Sequence, residues 1–299
     1  MPPKSKSLRI LITNDDGIHS PGLVVAEKMA RTITDDVWVV APETEQSGAS
    51  HSLTLSLPLR LRQVSEHKFA VTGTPTDCVM MGVAEVLKDR KPDLVLSGVN
   101  RGSNLADDIT YSGTIAGAME GTALGIRSIA LSQSYGFEEG FKIRWHCAEA
   151  HGPTVIKKLV DVAWPEPQEV LMNVNFPDCE PNEVSGIEVT EQGKRDMQTA
   201  AMERRVDLRR NPYFWIGFKR VRSNPLKGTD LCAIYEKRIS ISPLHLNLTE
   251  FKVLQRLKGA LDTKLAPTSK KPSDPSVLLP QDEAKAAALR TQLGPGEPG

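Results

Sequence analysis

The stretch ILITNDDGIHSPG, residues 10–22, joins an apolar segment to two adjacent acids and then to the start of a helix. Residues 8–13, LRILIT, are short, apolar and rich in β-branched side chains, which is typical of a buried strand. Ser20 is a favourable helix cap, and Pro21 suits a first helical turn. The stretch therefore predicts a strand, a loop and a helix, with Asp15 and Asp16 at the carboxyl end of the strand.

The same alternation of strand and helix continues through the next 160 residues or so, counted along the printed sequence. The apolar patterns predict strands at 37–41, 68–73, 93–98, 128–132 and 169–176, and helices at 20–33, 74–87, 112–125 and 141–160. Because each strand is apolar on both faces, we expect a mainly parallel sheet with helices on two sides, an α/β fold.

Three segments depart from this rhythm. Residues 53–64 carry a leucine at every second position from 53 to 61, which predicts a one-sided strand or hairpin arm. Residues 231–244 read as a projecting β-hairpin that finds a partner chain, since an isolated two-stranded arm is marginal alone. We therefore expect a flexible start at 1–7, a domain at 8–258 with an oligomerisation arm at about 228–246, and a disordered proline-rich tail at 259–299.

Composition excludes several classes of protein. The 299 residues carry 37 basic and 37 acidic side chains, so the basic excess of a nucleic-acid binder is missing. The four cysteines have no C-x-x-C spacing and read as reduced thiols of a cytoplasmic protein. The start MPPKSKSLRI lacks the apolar stretch of a signal peptide, and no later run approaches a membrane span, so we expect no membrane partner.

Oxygen-bearing side chains follow several of the predicted strands. Asp15 and Asp16 follow the first strand, Ser47 the second and Asn100 the strand at 93–98. Ligands of an open parallel sheet bind beyond the carboxyl ends of its strands. Two carboxylates, a hydroxyl and an amide oxygen suit one hard divalent cation, Mg²⁺ or Mn²⁺. Taken singly, these residues also fit a turn or cap, a plain loop and an Asx-turn.

A second candidate element is the helix start Ser112-Gly113-Thr114. The first turn of a helix exposes unpaired N–H groups and a positive dipole end, which favour an anion such as phosphate. By itself the stretch fits an ordinary helix cap equally well. A metal site and an anion site at one sheet edge together indicate a phosphate ester as the substrate.

Four motifs in this order make the chain resemble the survival protein E (SurE) family of metal-dependent nucleotidases. They are RILITNDDGIHSPG, SGASHSLT, SGVNRGSN and YSGTIAGAMEG, and the later TDLCAIYEKRISISPLHLNLT resembles that family's closing segment. The resemblance covers roughly residues 8–255. Two features depart from it: the proline-rich tail is an addition, and Lys237-Arg238 stands where the family often has a turn glycine.

The resemblance implies a Rossmann-like three-layer core and a 5′-nucleotidase, a hydrolase that releases phosphate from nucleoside 5′- and 3′-monophosphates. It also implies a metal bound by Asp15, Asp16, Ser47 and Asn100, and phosphate contacts from Ser112, Gly113 and Thr114, with Asn104 as a further contact. Related proteins form dimers or tetramers through C-terminal arms, so a homodimer or homotetramer is expected.

The expected chemistry is attack of water on the phosphorus atom, with Asp15 or Asp16 orienting that water as a base. Covalent attack by one of the two acids is an alternative, although a carboxylate engaged with a metal is a poorer nucleophile. A phosphatase of polyphosphate or sugar phosphates is a second alternative for the substrate. A magnesium-binding receiver domain of signalling proteins is remote, because the strand at 93–98 ends in Ser97-Gly98 and not in an aspartate.

Overall fold

The structure, a computed structural model, describes residues 7–136, 143–166, 169–195, 198–220 and 224–262. The chain divides into two compact units, residues 1–248 and residues 249–299. In the second unit the structure describes one helix, which ends at Leu261. The flexible start predicted at 1–7 and the disordered tail predicted at 259–299 lie almost wholly outside the described residues and stay predictions.

The strands in chain order are β1 (Ile10–Thr13), β2 (Val37–Pro42), β3 (Leu61–Ser65), β4 (Lys68–Val71), β5 (Leu94–Arg101), β6 (Arg127–Gln133), β7 (Val170–Phe176), β8 (Gly186–Val189), β9 (Gln198–Val206), β10 (Pro212–Arg220) and β11 (Arg238–His245). The α-helices are α1 (Pro21–Arg31), α2 (Pro75–Met81), α3 (Gly113–Ala123), α4 (His146–Asp161), α5 (Asp230–Tyr235) and α6 (Phe251–Leu261). A π-helical turn, Gly82–Val86, continues α2, and short 3₁₀ turns span Ala106–Tyr111 and Pro181–Glu183.

Among the described residues, nine strands form one twisted sheet in the order β3–β4–β2–β1–β5–β6–β7–β11–β8. The six strands from β4 to β7 in this order run parallel to their neighbours. The outer pairs β3–β4 and β7–β11 are antiparallel, while β11 and β8 are parallel. The predicted mainly parallel sheet is confirmed.

Both faces of the sheet are covered, as the apolar strands predict. Ile10 and Ile12 of β1 point into the larger core cluster, which includes buried side chains of α1 and α4. Leu11, between them, points to the opposite face and packs with Cys78 and Val79 of α2. Successive residues of a strand face opposite ways, so a strand that is apolar throughout needs helices on both sides. The three-layer architecture follows.

Two helix starts lie where the sequence predicts them. The Ser20 hydroxyl accepts a hydrogen bond from the Leu23 N–H at 3.4 Å, and Pro21 opens α1. Thr74 and Asp77 form a reciprocal capping box at the start of α2. The helix predicted to reach about residue 87 is α-helical only to Met81 and continues as the π-helical turn. The helix predicted at 141–160 begins at residue 146 as α4, and residues 141–142 lie outside the described residues.

The leucine-rich stretch 53–64 is a strand only in its last part. Leu55 and Leu57 are exposed and lie in irregular chain, whereas Leu59 and Leu61 pack against the α2 core cluster. Strand β3 pairs with β4 in an antiparallel hairpin at the edge of the sheet. The prediction of a strand or hairpin arm at 53–64 therefore holds for residues 61–64 alone.

The projecting hairpin predicted at 231–244 is wrong in position. Residues 230–235 form α5, and β11 is an interior strand between β7 and β8. Strand β11 alternates apolar and polar side chains, and the Ser240 and Ser242 hydroxyls are buried and hydrogen-bonded to Thr190 at 2.8 and 2.7 Å. A two-stranded hairpin separate from the main sheet does exist, formed by β9 and β10.

Candidate functional site

The two acids after β1 are held by the loop that leads to α1. The Asn14 side-chain amide donates to the Ser20 hydroxyl at 2.7 Å and to the Gly17 carbonyl at 3.2 Å, which ties the loop to the helix cap. The Asp15 carbonyl accepts the Gln46 N–H at 2.8 Å, which links it to the loop after β2. Backbone and side-chain hydrogen bonds thus fix the loop that carries both carboxylates.

Asp15 is 4% exposed, and its carboxylate is placed by helix α3. The Thr114 hydroxyl donates to its Oδ1 at 2.5 Å. A Cβ on Gly113 would come within 2.7 Å of the Asp15 Cβ and 3.1 Å of its Oδ2, so only glycine allows this close approach. Burial raises the pKa of the Asp15 carboxyl to about 7, against the Thr114 hydrogen bond and with a further rise from the charge of Asp16.

Asp16 is half-buried and accepts the Arg101 N–H on its Oδ2 at 3.2 Å. Burial raises the pKa of this carboxyl also, while the hydrogen bond from Arg101 lowers it. The two adjacent acids thus both resist ionisation in the protein without a cation. A divalent cation between them would favour the charged forms of both.

Asn100 reaches the sheet edge through an irregularity in β5. The register of β5 against β6 shifts between Ser97 and Asn100. Gly98 has φ +133°, and a Cβ there would lie 2.2 Å from the Leu131 carbonyl oxygen, so the chain needs glycine at this point. The Asn100 amide nitrogen donates to the Gly102 carbonyl at 2.9 Å, which leaves its side-chain oxygen as the ligand-type atom.

Ser47 lies in the loop after β2, and its hydroxyl donates to Glu45 at 2.9 Å. It shares with Asp15 and Asn100 the lining of a cleft of about 220 Å³, which we call the small cleft. Asp16 lines a neighbouring cleft of about 400 Å³, which we call the large cleft. Arg101 lines both. The structure therefore brings the four predicted metal ligands to one place, with Asp16 on its far side.

The predicted phosphate contacts divide into two groups. Asn104 and Ser112 line the small cleft, and the Ser112 hydroxyl caps α3 by accepting the Ile115 N–H at 3.1 Å. Gly113 and Thr114 contact Asp15 instead and are not part of the cleft lining. The Thr114 hydroxyl is committed to the carboxylate, so the N–H groups of the α3 start remain as donors for an anion.

A buried amide network behind Asn104 was not predicted from the sequence. The Asn104 amide donates to the Ser132 hydroxyl at 2.8 Å, and its backbone N–H donates to Asn175 Oδ1 at 2.9 Å. Its carbonyl accepts from the side chains of Asn173 and Asn175 at 2.9 and 3.1 Å. The available signal was MNVNF, residues 172–176, where two asparagines interrupt a buried strand at period two.

The donors at the small cleft fit a hard cation and not a soft one. Within the part of the chain that the structure describes, no three His, Cys, Asp or Glu side chains cluster as a metal site. An ion here would rest on two carboxylates completed by neutral oxygens from Ser47 and Asn100. That set, without sulfur or imidazole, suits a hard divalent cation.

The fold and the site together define a Rossmann-like α/β protein with an oxygen-lined cleft at the carboxyl edge of its parallel sheet. A family model described as survival protein SurE matches residues 10–199. The chain belongs to this SurE family.

Relatives and a solved structure agree with this assignment. A 5′-nucleotidase SurE from Parvibaculum lavamentivorans is 60% identical over 263 residues, covering 88% of this chain and 94% of the relative. A second, from Methylorubrum extorquens, is 60% identical over 253 residues, covering 85% of this chain and 99% of the relative. The crystal structure of the SurE protein from Aquifex aeolicus is similar with a TM-score of 0.72 and 38% identity, covering 84% of this chain and 99% of that one.

Two further observations concern the cysteines and the helices. The four cysteines are free thiols, and three of them are buried. In the described ranges, none of the helices combines the length and the apolar character needed to cross a membrane.

Proposed function

We propose that this protein is a divalent-metal-dependent phosphomonoesterase that hydrolyses nucleoside 5′- and 3′-monophosphates to nucleoside and phosphate. The observation that carries the proposal is the convergence of Asp15, Ser47 and Asn100 on the small cleft beside the start of α3, with Asp16 on the adjoining large cleft. The relatives named 5′-nucleotidase SurE, at 60% identity over most of the chain, support the choice of nucleotides as substrates.

Asp15 and Asp16 would hold one Mg²⁺ or Mn²⁺ through carboxylate oxygens, with Ser47 and Asn100 adding neutral oxygens. When bound, the ion supplies positive charge that offsets the charge developing on the phosphoryl oxygens. Thr114 and Gly113 act on Asp15: the hydroxyl orients the carboxylate and the missing side chain makes room for it.

The phosphoryl group binds at the α3 start, in the small cleft. Ser112 and Asn104 line this cleft, and the first N–H groups of α3 add a positive dipole end. The asparagine network behind Asn104 fixes its position before substrate arrives. Asp15 or Asp16 orients the attacking water and accepts its proton.

A panel of phosphate esters tests this function. We expect the purified protein with MnCl₂ or MgCl₂ to release phosphate from nucleoside monophosphates, and EDTA to abolish the release. Asp15→Asn, which removes one carboxylate charge, is expected to lower kcat/KM by more than about a hundredfold. Preference for polyphosphate or sugar phosphates over nucleotides in the same panel would contradict the assigned substrate. Full activity of Asp15→Asn would contradict the assigned site.

The assembly is proposed to be a homodimer or homotetramer, with the β9–β10 hairpin as the arm that the sequence placed at 228–246. Met202 and Ile216, which pair across this hairpin, are more than half exposed, as are Phe214 and Trp215. Such exposed apolar side chains fit burial against a second copy. The cytoplasmic location and the lack of a nucleic-acid partner stay predictions.

A further inference from the structure

The large cleft adjoins the candidate metal site, because Asp16 is part of its lining. It measures about 400 Å³ and is lined by Asp16, His19, Glu43, Arg101, Ile143 and Trp145, among others. Arg101 is common to both clefts, and Asp15 and Asp16 are adjacent in the chain. A molecule whose one end occupies the small cleft can therefore extend its other end into the large cleft.

The walls of the large cleft differ in chemistry from those of the small one. Trp145 and Ile143 supply an aromatic and an aliphatic surface. The small cleft is lined mainly by short polar side chains and glycines, with Tyr111 as its aromatic residue. Ligand pockets for small organic molecules combine apolar walls with a few polar groups, which the large cleft provides.

The Trp145 ring is held in place before any ligand binds. A Cβ on Gly22, in the first turn of α1, would come within 2.8 Å of the Trp145 Cη2. The ring also packs against the larger core cluster. The backbone carbonyl of Trp145 accepts the Glu149 N–H at 2.9 Å, which fixes the main chain at the start of α4. A ring fixed in this way offers a flat surface to a ligand at little cost in side-chain entropy.

The polar groups at the rim suit a sugar. Carboxylates such as those of Asp16 and Glu43 accept hydrogen bonds from hydroxyl groups. The Arg62 guanidinium donates to Glu43 Oε1 at 2.8 Å and so positions the Glu43 carboxylate. His19 adds an imidazole to the same rim. A ribose would donate hydrogen bonds from its hydroxyl groups to such carboxylates, and the attached base would stack on the aromatic wall beside them.

We propose that the large cleft binds the nucleoside half of the substrate, with the base against Trp145 and the sugar at the Asp16–Glu43 rim. The inference rests on the proposed nucleotidase function, and it places the substrate across both clefts with its phosphoryl group beside Asp15. Trp145 is then the residue that makes the site prefer nucleotides over small phosphate esters.

The test compares AMP with glycerol 2-phosphate, an ester without any ring. Trp145→Leu keeps an apolar side chain but removes the aromatic face, so we expect KM for AMP to rise about tenfold, as for loss of one base-stacking contact. The ratio of kcat/KM for AMP to that for glycerol 2-phosphate should fall by the same factor. Trp145→Phe should restore most of that ratio. Tyr111→Leu is the matched aromatic variant in the small cleft and should leave the ratio as in the unmodified protein.

A second measurement needs no variant of the cleft. Adenosine, which lacks phosphate, should inhibit AMP hydrolysis competitively and at least about tenfold more strongly than ribose does. Equal inhibition by the two would overturn the inference, as would an unchanged substrate ratio in Trp145→Leu. A ratio that collapses in Tyr111→Leu instead would place the base in the small cleft. If the unmodified protein hydrolyses neither ester with Mn²⁺, the proposed function itself fails.

Discussion

Asp15 is a buried carboxylate, and its burial costs stability in the metal-free protein. It is almost fully buried beside a second carboxylate, that of Asp16. Its carboxylate accepts a hydrogen bond from the neutral Thr114 hydroxyl. A buried carboxylate loses hydration that one hydrogen bond does not replace. The unusual pKa of about 7 records that cost, because the fold favours the protonated acid.

Asp15→Asn should therefore stabilise the metal-free protein while it removes activity. The folded-state pKa is raised from 3.8 to about 7, so the stability that the proton confers is full below pH 4 and is lost as the pH rises towards 7. The shift corresponds to on the order of 4 kcal/mol at pH 8. In EDTA, we expect the advantage in Tm of Asp15→Asn over the unmodified protein to grow by several degrees between pH 5 and pH 8.

Thermal unfolding at the two pH values measures this difference. Asp35→Asn is the matched control, since Asp35 is an exposed acid in the loop before β2. Its Tm difference from the unmodified protein should be the same at both pH values. An Asp15→Asn protein that is less stable at pH 8 than at pH 5, relative to the unmodified protein, would contradict the assigned burial cost.

Gly113 is predicted to matter through the space that it leaves. In Gly113→Ala the new methyl group would lie 2.7 Å from the Asp15 Cβ, so the carboxylate has to move. A displacement of this kind at a reacting centre lowers kcat/KM by about a hundredfold. Gly259→Ala in α6 adds the same methyl group with nothing within 4 Å and should leave kcat/KM unchanged. Equal kinetics for the two variants would show that the contact is unimportant.

The sequence could predict the candidate oxygen ligands but not all of the contacts that position them. Asp15, Asp16 and Asn100 were chosen as candidates because strand ends of a parallel sheet converge. Gly113 and Thr114 were expected to face a phosphate, but their positions depend on how closely α3 approaches β1, which no local pattern encodes. The Asn173–Asn175 pair stayed hidden because a buried amide is recognisable only when its partners are known.

At the scale of elements, the sequence predicted a hairpin outside the main sheet but not its place. Strand β11 alternates apolar and polar side chains, yet Thr190 satisfies its serines inside the sheet. Strands β9 and β10 show apolar side chains that the structure leaves exposed, including Phe214 and Ile216. Alternation of apolar and polar residues indicates a strand. Which face of that strand is exposed to solvent depends on the elements that pack against it in the folded protein.

The hairpin should control the oligomeric state if it is the arm. Phe214 and Ile216 lie on one face of β10, and they are 55% and 67% exposed. We expect the double substitution Phe214→Lys/Ile216→Lys to give a smaller species in light scattering coupled to gel filtration, because burying two ammonium groups opposes association. Leu208→Lys, at the exposed turn, is the control and should keep the parent mass. If both variants had the molar mass of the unmodified protein, this hairpin would be excluded as the arm.

For the whole molecule, the parallel sheet separates the edge that carries the candidate site from an edge that carries ion pairs. At the amino ends of the strands, Arg9 donates through its Nε to Asp36 at 2.9 Å and through its backbone N–H to Asp93 at 2.7 Å. Asp36 pairs with Arg9 and Asp93 pairs with Arg90, whereas Asp15 and Asp16 at the carboxyl edge repel. The fold class was predictable because it depends only on the order of strands and helices, and that order fixes which edge carries unpaired acids.

Metal binding should consequently stabilise the protein only through the carboxyl edge. A ligand that binds the folded state at about a hundred times its Kd adds roughly 2.7 kcal/mol, or about 5–10 °C in Tm for a chain of this length. We expect MnCl₂ to raise Tm by that amount over EDTA in the unmodified protein and to have almost no effect in Asp15→Asn. Asp93→Asn, an equal loss of charge at the opposite edge, should lower Tm through its lost ion pair with Arg90 yet keep the full increment from Mn²⁺. If Asp15→Asn kept the increment and Asp93→Asn lost it, the ion would bind at the wrong edge of the sheet for the mechanism proposed.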